Sequence, residues 1–117
     1  MTSPGSINKF SCSESDRFLC RGPFTIDLYK RDTLFNKKEI QLPMCAFDYL
    51  VTLLRHSPEP VSYKTLVADS QGFQLSRLEA QDLARVRIYM LRKVIEENAQ
   101  DPCYILAVPG YGYRLVT

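Results

Sequence analysis

Between Arg85 and Lys93 the sequence places four basic side chains, Arg85, Arg87, Arg92 and Lys93, with no acid among them. Glu79 and Asp82 precede the run, and Glu96, Glu97 and Asp101 follow it. Guanidinium and ammonium groups hold anions and hydrogen-bond acceptors, so the chemistry they offer is recognition. At 100° per residue Ala84, Ile88, Leu91 and Ile95 fall on one stripe, the core side of a helix. The opposite stripe carries Asp82, Val86, Tyr89 and Lys93, flanked by Arg85, Met90 and Arg92. A helix that only roofs a core shows charge and small polar groups there. Basic groups interleaved with Val, Tyr and Met suit a partner surface instead.

In a DNA major groove, Arg and Lys meet guanine edges or phosphates and Val86 meets a thymine methyl. Periodicity alone leaves open a solvated helix with incidental apolar residues. Other chemistry finds little support. His56, the sole histidine, falls at a predicted helix C-terminus, where it relaxes the dipole. No GxSxG, HExxH or phosphate-binding glycine loop occurs, and Gly110-Tyr111-Gly112 lacks the third glycine and following helix of a dinucleotide site. No enzyme and no cofactor is expected. Cys12, Cys20, Cys45 and Cys103 show no CxxC spacing and read as reduced thiols, not a metal site, which agrees with a cytoplasmic setting.

The elements that must position the basic helix fit one domain of 117 residues. Hydrophobic residues make up 45% and charged residues 24%, which excludes a wholly disordered or fibrous chain. The net charge of +2 is too mild to identify a partner, so its distribution must decide. No apolar run approaches a membrane span and no signal peptide is visible. Residues 1–15, rich in Ser, are expected to be a flexible tail or linker, with the domain over residues 16–117. Short strand-like segments follow at Phe18–Cys20, Phe24–Leu28, Thr33–Phe35 and Glu39–Leu42, separated by turn material. Pro43 opens a predicted helix in which Phe47, Leu50, Val51 and Leu54 recur at helical spacing. It ends near His56-Ser57. Ser62 caps a short second helix broken near Gln71-Gly72, and a third runs roughly from Leu78 to Asn98. Tyr104–Val108 and Tyr113–Val116 are two strands, with Pro109-Gly110-Tyr111-Gly112 as the hairpin turn. The predicted class is α+β, a winged helix-turn-helix: an N-terminal antiparallel sheet, three helices and a C-terminal β-hairpin wing.

Two stretches carry a specific likeness: Ala84–Lys93, and Tyr104–Arg114 after the Asp101-Pro102 spacer. Together they resemble the signature V-D-V-H-I-x-R-L-R-K, spacer, Y-I-x-T-V-R-G-x-G-Y-R of the OmpR/PhoB-type transcriptional regulators. Leu42, Phe47 and Leu50 look like that family's first-helix pattern, and Pro60-Val61-Ser62 with Leu66 resembles its entry to the second helix. The resemblance implies sequence-specific binding of double-stranded DNA for transcription regulation, as the output domain of a two-component response regulator. The third helix would enter the major groove, the wing would reach the minor groove, and the loop near residues 71–78 would meet RNA polymerase. It also implies tandem pairs on direct repeats.

Carried over by position, Arg92 and Tyr113 match phosphate-contacting residues and Val86 a groove-facing one. Helix geometry adds Tyr89 and Lys93, and Arg85 and Met90 flank them. Arg114 on the wing strand is placed to touch backbone or to be a plain surface Arg. Ser62, Tyr63 and Lys64 open the second helix, whose amides are placed to cradle a phosphate, unless Ser62 is only an N-cap. Gly110 and Gly112 are read as turn geometry. The chain departs from the pattern at Met90 and Pro109, where the family carries Arg. It also departs at Ala107 for Thr, and at Arg85 and Ala46 for acids. The same face also suits a protein-protein interaction module with weak or no DNA binding.

Overall fold

The computed structural model describes residues 17–117, so the expected tail over residues 1–15 lies outside the described residues. The chain forms two compact units, one reaching to Gln41 and one over Leu42–Thr117. In the first, β1 (Phe18–Arg21), β2 (Phe24–Asp27), β3 (Asp32–Phe35) and β4 (Lys38–Ile40) form an antiparallel sheet in that order. The register stacks Leu19, Ile26, Thr33 and Ile40 on one face, and the first three are buried, as the alternation of apolar residues requires. Asn36 and Lys37 both take left-handed φ, 54° and 68°, the two-residue turn whose twist matches the flanking strands. The Asp27 carboxylate receives the Arg17 guanidinium in a two-pronged bond, Nη2–Oδ2 2.9 Å and Nε–Oδ1 3.2 Å. Its Oδ1 also accepts the Tyr29 and Lys30 amides. The Arg17 hydrogen bond, helped by those amides, holds the Asp27 carboxyl below the usual carboxylate range.

The second unit runs α1 (Met44–His56), β5 (Val61–Ser62), α2 (Tyr63–Gln71), α3 (Arg77–Ile95), β6 (Ile105–Val108) and β7 (Gly112–Leu115). The predicted apolar set of α1, Phe47, Leu50, Val51 and Leu54, is buried, together with Tyr49 and Leu53. The Ser62 hydroxyl accepts the Thr65 amide at 3.2 Å, capping α2. Gly72 ends α2 in the left-handed region, φ 76°, returning its N–H to Ala68 O at 2.8 Å. Ser76 and Glu79 then close a reciprocal capping box at the start of α3.

Three expectations are corrected. The third helix stops at Ile95, not Asn98, because Glu96 adopts an extended backbone (φ −82°, ψ 139°) and its carboxylate turns onto the chain ahead. The predicted fourth strand ends at Ile40, whose partner is Thr33, and not at Leu42. The sheet under the wing also has a third strand that periodicity missed, since β5 is only two residues long; its order is β5-β7-β6. That strand gives Gly112 its reason. Gly110 has the left-handed turn geometry (φ 74°), but Gly112 is paired with Ser62, and a Cβ there would be driven into the Val61 carbonyl.

Candidate nucleic-acid interface

Helix α3 buries Ala80, Ala84, Ile88, Leu91 and Ile95 and turns the predicted opposite stripe outward. Arg85 and Lys93 are exposed, and Val86 and Tyr89 are 48% and 58% exposed. Lys93 Nζ lies 5.4 Å from the Tyr89 ring centroid, a cation–π contact between two exposed side chains. These four residues are brought together on one face. A flexible cation, an aromatic plane and a branched methyl group are the groups that read acceptors, phosphates and base methyls.

The other predicted residues of the helix are employed differently. Met90 is half-buried, and its Sδ receives the Cys45 thiol at 3.8 Å, tying α3 to α1. Arg87, basic in the sequence run, donates from Nε to Gln71 Oε1 at 3.4 Å, and the Tyr49 hydroxyl reaches the same oxygen at 2.7 Å. Burial pushes the Tyr49 phenol up, which keeps it a neutral donor. Arg92 donates through Nε (3.2 Å) and Nη2 (2.8 Å) to the Ile105 carbonyl. Its guanidinium stands 5.6 Å from the Tyr113 ring centroid. Tyr113 is buried, edge-on to Tyr63 with centroids 5.9 Å apart, and burial raises its phenol above the ordinary value.

Around the wing, Arg114 on β7 and Lys64 in the first turn of α2 are exposed. The start of α2 abuts the wing turn, with the Tyr63 amide donating to Tyr111 O at 2.9 Å. Ser62 serves as the N-cap. Two residues that sequence reasoning passed over matter here. Arg77 Nη2 donates to Gly110 O at 3.0 Å, and Glu96 accepts backbone amides at the base of the wing. The four-residue spacing of Arg92 and Glu96 was the available signal for the second; nothing local marks the first.

His56 lies in the last turn of α1, with Nε2 3.7 Å from Asp69 Oδ2. Cys20, Cys45 and Cys103 are free thiols, and Cys12 lies outside the described residues. Among the described residues no cluster of three potential metal ligands occurs, and no helix is long and apolar enough to cross a membrane.

Residues 37–115 match the family described as "Transcriptional regulatory protein, C terminal". The chain is 32% identical over 92 residues to a probable transcriptional regulator ycf27 of Cyanophora paradoxa, covering 79% of this chain and 38% of that protein. It is 30% identical over 101 residues to the sensory transduction protein RegX3 of Mycolicibacterium smegmatis, covering 86% and 43%. It thus spans less than half the length of these two curated relatives. Among solved structures, the RstA DNA-binding domain of Klebsiella pneumoniae in complex with the RstA box superposes with a TM-score of 0.74 at 25% identity, over 86% of this chain and 97% of that one. The Thermotoga maritima response regulator DrrB, an OmpR/PhoB homolog, superposes at 0.70 and 23% identity over 97% and 50%, a likeness of fold. A match over most of the chain, on a helix and hairpin arranged as the signature residues predict, shows that the chain belongs to the OmpR/PhoB-type family of C-terminal domains of transcriptional regulatory proteins.

Proposed function

We propose that the chain binds double-stranded DNA in a sequence-dependent way, as the output domain of a two-component response regulator. In this reading α3 lies in the major groove and the wing runs along the adjacent backbone or minor groove. The observation that carries the reading is the outward stripe Arg85, Val86, Tyr89 and Lys93 on a helix braced by a β-hairpin. Arg85 and Lys93 supply guanine or phosphate contacts, Val86 a thymine methyl contact, and Tyr89 a stacking or backbone contact. Arg114 and Lys64 extend the positive edge to neighbouring phosphates. Ser62, Met90, Arg92 and Tyr113 hold the surface in shape. The reading assigns no bond-making chemistry to these residues.

By likeness to the family, two copies sit in tandem on direct repeats. The connection between α2 and α3 meets RNA polymerase, a reading supported by Phe73 at 47% and Leu78 at 67% exposure. The test is fluorescence anisotropy with mixed-sequence duplex DNA at several salt concentrations, followed by selection of preferred sites. The expected result is a log–log slope of about 0.9 per neutralised phosphate. A second reading, a protein-binding face, draws on the exposed Val86 and Tyr89 and on Met90 being turned inward; it predicts no salt-dependent DNA binding at all.

A further inference from the structure

Glu96 is buried at the point where α3 ends, and its carboxylate is turned onto the start of the wing. Its Oε1 accepts the Cys103 amide at 2.6 Å, both oxygens accept Tyr104 N–H (3.3 and 2.9 Å), and Oε2 accepts Ile105 N–H at 2.8 Å. One helical turn earlier, Arg92 takes the carbonyl of the same Ile105 with two donors. A single residue at the base of β6 is therefore gripped at its N–H by a carboxylate and at its C=O by a guanidinium, both presented by α3. At the far end of the hairpin Arg77, from the first turn of α3, holds Gly110 O.

We infer that Glu96 and Arg92 are positioning residues for DNA binding. By gripping the Ile105 peptide they fix the wing to α3, so that groove helix and wing dock as one rigid head. The inference rests on the DNA-binding reading for its consequence, but the grip itself is a property of the free protein. It gives Arg92 a role that works through the wing instead of through a phosphate, and it gives a role to Glu96, whose side-chain oxygens are taken up by backbone amides. Rigid presentation lowers the ordering cost at binding, which is how a residue away from the contact surface changes affinity.

The experiment pairs amide hydrogen exchange of the free chain with DNA anisotropy over a salt series, for the wild type and for Glu96→Ala, Glu96→Gln, Arg92→Lys and Arg92→Ala. In Glu96→Ala, exchange at Cys103, Tyr104, Ile105 and the β6–β7 amides should rise at least about tenfold while α1 stays protected. DNA affinity should fall roughly tenfold with an unchanged salt slope, because every phosphate keeps its cation. Glu96→Gln keeps an acceptor oxygen and should recover most of the affinity. Arg92→Lys keeps the charge but loses the two-donor fork and should behave like a weaker Glu96→Ala.

Two results would overturn the inference. One is unchanged wing exchange with affinity within about twofold of wild type. The other is Arg92→Lys indistinguishable from wild type while Arg92→Ala flattens the slope by the share of about one phosphate, which would make Arg92 a phosphate ligand. Absence of any DNA binding by the wild type would defeat the DNA-binding reading, and the exchange data would then decide the grip alone.

Discussion

The middle of α3 and its C-terminal end carry similar residues and use them in opposite ways. Around Arg85 to Tyr89 the helix faces solvent with a cation, a methyl group and an aromatic ring, and Arg85 has no hydrogen bond or ion pair among the described residues. At the C-terminal end Arg92 and Glu96 turn their charges onto the wing, where they close backbone hydrogen bonds, while Lys93 between them stays on the outward stripe. A buried carboxylate is tolerated only when its lone pairs are filled, and here the amides of Cys103, Tyr104 and Ile105 fill them. Side-chain type therefore does not distinguish a reading residue from a bracing one. The distinction comes from what lies within reach: the base of the wing meets Arg92 and Glu96 and its tip meets Arg77, while Arg85 in mid-helix makes no such bond.

The comparison predicts that stability and binding separate along one helix. The largest effect should come from Glu96→Ala, which strips three amides of their acceptor and should cost about 3 kcal/mol in urea unfolding. Lys93→Ala, on the outward stripe of the same turn, should stay within about 0.5 kcal/mol. Equal losses at both positions would erase the distinction. Gly112→Ala should cost about 2 kcal/mol, because the new methyl meets the Val61 carbonyl and β5 must yield; a neutral result would mean that β5 contributes nothing to bracing the wing. Replacing Arg85 and Lys93 together by Ala should leave the unfolding midpoint unchanged. DNA affinity should fall across all sequences, and the salt slope should drop by about 0.9 for each phosphate left without its cation.

Ser76→Ala opens the capping box and should cost about 1 kcal/mol, moving α3 as a whole without favouring either end. The smallest effect lies outside the helix, at Asp27. Its carboxyl is held below the usual range, so its contribution is complete above the ordinary carboxylate value and is lost as pH falls through the depressed one. Between about pH 5 and pH 3 the wild type should lose more stability than Asp27→Asn, as read by urea midpoints.

Much of the fold was legible because it is periodic. The buried stripe Ala84, Ile88, Leu91 and Ile95 follows from 3.6-residue spacing, and Leu19, Ile26 and Thr33 share a face through two-residue alternation. The outward set Val86, Tyr89 and Lys93 was legible for the same reason. What escaped depends on neighbours distant in sequence. β5 is too short to carry a period, and Gly112 looks like a turn glycine until Val61 is brought against it. The helix terminus at Ile95 was misplaced because Glu96 has ordinary helix propensity; its departure is set by Cys103, Tyr104 and Ile105, seven to nine residues ahead. Met90 looks like part of the partner face until Cys45 claims it, and Arg87 like one more cation of the basic run until Gln71 does.

The most direct test of the central claim is amide chemical-shift mapping of the chain titrated with a selected duplex. If the outward stripe of α3 reads DNA, the largest shifts will fall on Arg85, Val86, Tyr89 and Lys93, with a second group at Lys64 and Arg114. Ala84, Ile88 and Leu91 will move less. Shifts confined to residues outside α3 and the wing, or none at low salt, would contradict the account.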